Sequence, residues 1–119
     1  MSFEQGSLHL VVLRTAEGEP FLTGDILRIA QHAVDSLASR YPGLRVTGRA
    51  FRDNAVSLLL DFSRCDEDTA RVVQSYKTEV RRLSTRKGFK KEHFWQREYV
   101  EKTVESQEER AALLVEWNF

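Results

Sequence analysis

Two runs that read as strands, residues 44–51 and 55–62, stand back to back in the middle of the chain with only Arg52, Asp53 and Asn54 between them. A polar spacer this short forces the two runs into an antiparallel hairpin, and the rest of the fold must be built around that pair. Helical periods flank it. Upstream, Ile26, Ile29, Ala30, Ala33, Val34 and Leu37 recur at helical spacing opposite Arg28, Gln31, His32, Asp35 and Ser39. Thr23 or Asp25 can cap this segment, and Pro42-Gly43 stops it. Downstream, from about residue 66, Val72, Val73, Tyr76, Val80 and Leu83 form a second apolar stripe, ended by Gly88. The β-rich run Leu8–Arg14, closed by Glu17-Gly18-Glu19-Pro20, supplies an opening strand, and residues 94–103 can supply a fourth.

The resulting order, β-α-β-β-α-β, predicts an α+β fold of the ferredoxin-like split βαβ type with an antiparallel sheet. A last helix follows. It opens on the capping box Ser106-Gln107-Glu108-Glu109 and continues through Ala112, Leu113 and Val115. In the second hairpin strand Val56, Leu58, Leu60 and Phe62 share one face, expected to point into the core, and Ala55, Ser57, Leu59 and Asp61 share the other.

The 119 residues are read as one domain spanning 1–119, because a chain of this size can bury a core without staples. Cys65 is the only cysteine, which excludes an internal disulfide or a thiolate cage and favours a reducing cytoplasm. The opening Met-Ser-Phe-Glu-Gln-Gly-Ser has no export-signal pattern, and no apolar run is long enough to span a bilayer, so no membrane association is expected. Net charge is formally zero, yet Arg81, Arg82, Arg86, Lys87, Lys90, Lys91 and Arg97 fall within one stretch whose only acid is Glu92. Cations at a helix end complement its dipole, which accounts for Arg86 and Lys87. Lys90, Lys91 and Arg97, beside Phe94 and Trp95, suit phosphates and exposed bases instead. Trp95 also reads as a core residue.

Three segments carry a family resemblance: Leu8-His9-Leu10-Val11-Val12-Leu13-Arg14-Thr15; Arg40-Tyr41-Pro42-Gly43-Leu44-Arg45-Val46 leading into Asp53-Asn54-Ala55-Val56-Ser57-Leu58-Leu59-Leu60; and Ser75-Tyr76-Lys77-Thr78 followed by Phe94-Trp95-Gln96-Arg97-Glu98-Tyr99. In order and over nearly the whole chain they resemble the IS200-like, REP-associated single-tyrosine transposases. That resemblance implies a His-hydrophobic-His motif on the second hairpin strand, where two imidazoles on one face hold a divalent metal. Ala55 and Ser57 occupy those positions here. Neither replaces an imidazole, so no metal or other cofactor is expected. The family's nucleophilic tyrosine, counted from Trp95-Gln96, falls on Glu116, whose carboxylate cannot form a phosphotyrosine link. Tyr99 as a replacement nucleophile competes with a packing role in the expected strand.

The chain therefore reads as a catalytically degenerate relative: no enzyme, with single-stranded or hairpin DNA as the expected ligand at the basic stretch and Trp95, and a homodimer as the expected assembly. The alternative is a dimerisation or protein-docking module on the same scaffold. His9, His32 and His93 are scattered over three different elements and suggest no new metal site.

Overall fold

The computed structural model describes residues 7–119; the first six residues of the N-terminal reading lie outside them. Four strands, β1 (Leu8–Arg14), β2 (Arg45–Arg52), β3 (Ala55–Asp61) and β4 (Val100–Val104), form one sheet in the order β2-β3-β1-β4. All three ladders are antiparallel, as the split βαβ order requires. Three helices accompany them: α1 (Gly24–Arg40), α2 (Thr69–Arg86) and α3 (Gln107–Trp117).

The hairpin turn has only Asp53 and Asn54 between paired Arg52 and Ala55, and neither turn residue has a positive φ. Two-residue hairpins usually need that conformation to match strand twist. Here the turn is held from outside: the Asn54 carbonyl accepts from the Thr15 N–H at 3.0 Å and the Asp53 carbonyl from the Leu22 N–H at 2.9 Å.

α1 and α2 cover one face of the sheet. Ala30, Val34 and Leu37 from α1 and Val72, Tyr76 and Val80 from α2 meet Val11, Leu13, Val56, Leu58 and Leu60 in the larger core cluster. Its one deeply buried hydroxyl is satisfied, Tyr76 donating to the Ala30 carbonyl at 2.8 Å and tying the two helices together. Burial pushes the Tyr76 phenol far above its ordinary pKa, so it stays a neutral donor.

The other face of β3 is not open to solvent. Ala55, Ser57 and Leu59 are buried as well, so both faces of this strand are covered. The reason is α3, which packs Leu113 and Trp117 against Leu8, Leu10, Val12, Leu59 and Val104 to make a second core. Ser106 caps α3 by accepting from the Glu109 N–H at 3.1 Å, as its capping-box sequence predicts. Asn118 ends it in the left-handed conformation, which returns Phe119 to the sheet over Gly48. A Cβ at Gly48 would stand 3.0 Å from the Phe119 ring, so any larger residue there would press on the ring.

The fourth strand is shorter than expected and begins later. Residues 94–99 form no strand: just past β1, Thr15 and Trp95 make an isolated bridge, joined by the Gln96 N–H to the Arg14 carbonyl and the Ala16 N–H to the Phe94 carbonyl, and Phe94 is buried in the main core. The second helix likewise starts at Thr69, where the Asp68 carboxylate accepts from the Ala70 N–H. No helix among the described residues is long and apolar enough to cross a membrane.

Candidate nucleic-acid interface

Two surfaces carry the residues singled out in the sequence, one on each side of the sheet. On the α3 side, Ser57 stands opposite Val12 of β1 and Ala50 of β2, and Ala55 stands opposite Arg14 and Arg52. Both are almost wholly enclosed, and the Ser57 hydroxyl has no hydrogen-bond partner. The Arg52 guanidinium lies 3.9 Å from the centre of the Trp117 ring, so a cation–π pair packs over this corner of the sheet. Glu116 is exposed on α3, while its neighbour Trp117 faces the sheet. The helix thus presents an indole, not the carboxylate, toward the strand that carries Ala55 and Ser57.

Tyr99 sits half-buried against the main core. Burial, then the neighbouring Glu101 and Asp68 carboxylates, hold its phenol above the ordinary range, which disfavours the phenolate a nucleophile needs. His9 lies 3.2 Å from Glu101 in the β1–β4 ladder, His32 is on α1 and His93 is in the loop after α2. Among the described residues no three His, Cys, Asp or Glu side chains converge as metal ligands.

On the opposite side, the basic stretch is not one patch. Arg81 is spent on structure: its guanidinium donates to the Lys91 and Glu92 carbonyls at 2.9 and 3.1 Å and lies 5.2 Å from the Phe89 ring centre. Arg82, one residue on, turns away by about 100° around the helix and faces solvent. It shares an open groove of about 600 Å³ with Lys77, Arg81, Trp95 and Arg97. Lys91 belongs to another depression, beside Glu17, Glu19 and Glu92, and Lys87 to a third, beside Asp25 and His32. Arg86 and Lys90 are exposed outside all three.

Trp95 is half-buried, donates its indole N–H to the Lys77 carbonyl at 3.2 Å, and packs on Phe94 and Tyr76. It combines a core anchor with an exposed edge in the groove. Lys77, not among the candidate binding residues of the sequence, returns the tie: its ammonium donates to the Gln96 carbonyl at 3.1 Å, and burial lowers its pKa. No linear charge pattern signals that role.

Three solved structures share this fold. A REP-associated tyrosine transposase bound to a REP hairpin superposes with a TM-score of 0.76 at 10% identity, over 95% of this chain and 65% of that one. A protein of Deinococcus radiodurans R1, provisionally described as a transposase, gives 0.71 at 18% identity, over 98% and 95% of the two chains. A bacterial tRNA(His) guanylyltransferase-like protein in complex with GTP gives 0.64 at 12% identity, over 97% and 62%. This chain spans less than two thirds of the first and third of these proteins. No protein-family model matches the sequence, and no curated protein does.

The fold is therefore one that this chain shares with a REP-associated tyrosine transposase. The guanylyltransferase-like protein has the same fold, so the fold by itself fixes no chemistry.

Proposed function

We propose that the protein is a non-catalytic nucleic-acid-binding domain on a transposase-like scaffold, with the metal site and nucleophile of the active enzymes lost. The observation that carries the reading is the burial of Ala55 and Ser57 beneath a face packed by α3. An alanine methyl and an unpartnered serine hydroxyl offer no imidazole nitrogen, and Glu116 offers no phenol. Nucleic-acid binding is supported by the exposed cations Arg82, Arg86, Lys87, Lys90, Lys91 and Arg97, and by the hairpin-bound state of the REP-associated structure. The single buried Cys65 thiol suits a reducing, cytoplasmic setting.

With magnesium or manganese, the purified protein is expected neither to nick single-stranded or hairpin DNA nor to form a covalent adduct. It is expected to bind a DNA hairpin with an affinity that falls steeply with salt, as phosphate contacts require. A denaturation-resistant protein–DNA adduct would overturn the loss of catalysis. Absence of hairpin binding at low salt would overturn the binding role.

A second reading, a dimerisation or docking module, is favoured by the outer face of α3. Val115 is 83% exposed, and Ala111, Ala112 and Leu114 lie exposed beside it. The sheet also has two edges, β2 and β4, which a second copy can pair. Light scattering at micromolar concentration is expected to show a homodimer; a monomer mass there counts against it.

A further inference from the structure

The groove beside Trp95 does not end at Arg82. A second open cavity of about 550 Å³ continues from it across the outer face of α2, and the two share Gln74, Thr78 and Arg82. Arg71 and Arg82 stand at the two ends of the exposed α2 row that the depressions share, roughly 16 Å apart along the helix at 1.5 Å per residue. One wall is the end of α1, with Arg40 and Tyr41; the other is the segment Trp95, Gln96 and Arg97.

Both walls are tied down before any ligand arrives. Arg40 donates to the Ser75 hydroxyl and pairs with Glu79 at 3.0 Å, fixing α1 to α2. On the far side, the Lys77 and Trp95 bonds already described are joined by Gln96, whose side-chain amide donates to the Thr15 carbonyl at 3.1 Å. The cations thus divide into two sets. Arg40, Lys77 and Arg81 hold the walls, and Glu79, the acid lining the groove, is neutralised by Arg40. Arg82 and Arg97 have no carboxylate partner among the described residues, and Arg71 has only a loose one, Glu67 at 3.9 Å. Two open depressions with anchored flanks and free guanidinium groups are preorganised for binding an extended polyanion.

We infer that this groove seats a single-stranded segment of DNA, with phosphates on Arg71, Arg82 and Arg97 and unstacked bases against the exposed edges of Tyr41 and Trp95. The inference rests on the nucleic-acid reading above and narrows it to a ligand class and a place. Guanidinium forks match phosphate oxygens bidentately without reading sequence. The aromatic walls discriminate: a duplex keeps its bases stacked inside and offers only its backbone, whereas a single strand can lay bases on Tyr41 and Trp95.

The test is fluorescence anisotropy with a short mixed-sequence oligodeoxynucleotide, presented single-stranded and as its blunt duplex. Parent protein, Arg82→Ala/Arg97→Ala and Lys90→Ala/Lys91→Ala are compared across a salt series, with circular dichroism confirming that each is folded. The single strand is expected to bind about tenfold tighter than the duplex, the equivalent of one modest base–aromatic stack. In the Arg82/Arg97 variant the salt slope for the single strand is expected to fall by roughly 1.4, about 0.7 per lost phosphate contact. The Lys90/Lys91 variant is expected to change less. Equal or tighter duplex binding overturns the inference. So does an unaffected Arg82/Arg97 variant: DNA binding would survive, and with it the proposed function, but its seat would lie outside the groove. A parent protein that binds neither form sinks both.

Discussion

Gly43→Ala is expected to cost about 3 kcal/mol or more of folding stability, although it adds a single methyl group. Gly43 has φ +90°, a conformation that L side chains rarely adopt, in the turn between α1 and β2. Space is the harder obstacle. A Cβ there would fall 1.9 Å from the Arg64 carbonyl oxygen, so the chain leading from β3 toward α2 rests directly on this turn. Both partners are backbone, and neither can move aside as a side-chain rotamer would. Since domains of this kind are stable by only about 5–15 kcal/mol, the loss should lower Tm by about 10 °C. Thermal unfolding followed by circular dichroism measures it; a Tm within two or three degrees of the parent's would show that the two segments part easily.

Trp117→Ala should have a comparable effect for a different reason. The indole is the largest side chain in the second core, and truncating a buried tryptophan commonly costs about 3–5 kcal/mol. Its loss also leaves Arg52 without its stacking partner. Because Leu113 is the only other buried side chain of α3, the helix should lose its hold on the sheet and bare Leu8, Leu10 and Val12. Urea denaturation should show a markedly lower midpoint, and a dye that binds apolar surface should brighten before the main transition. Trp117→Phe should recover most of the loss. An unchanged midpoint in the alanine variant would mean that α3 contributes nothing to the stability of the sheet.

The main layer was legible because its elements obey simple periods. The β-rich runs of β1 and β3 and the stripes of α1 and α2 point to the same core, and the short Arg52-Asp53-Asn54 spacer fixes the hairpin. The second core was not legible. Nothing near Ala55, Ser57 and Leu59 in sequence says what covers their face; the cover is α3, whose apolar residues lie on several sides of the helix. The fourth strand was overextended for a related reason: Phe94 and Trp95 have strand propensity, but tertiary packing uses them as anchors. The basic stretch misleads by adjacency. Arg81 and Arg82 are neighbours in sequence and line one groove, yet Arg81 is engaged in clamping a loop and Arg82 is left exposed, because a helix turns consecutive side chains away from each other.

The position of β1 between β3 and β4 sets the timetable on which a growing chain can hide its apolar surface. β1 is made first, but its ladder to β4 joins Leu8 to Val104, so that pairing waits until nearly all of the described chain has been synthesised. By then β1, β3, α1 and α2 can already have closed the main core. The opposite face of the sheet, with Leu8, Leu10, Val12 and Leu59, stays bare until Leu113 and Trp117 emerge. Contacts so distant in sequence slow the final closure, and during that interval the nascent protein is a half-sandwich with one sticky side. Whatever the finished protein binds, this face of the sheet is most prone to aggregate before α3 is made, and α3 is the segment that covers it.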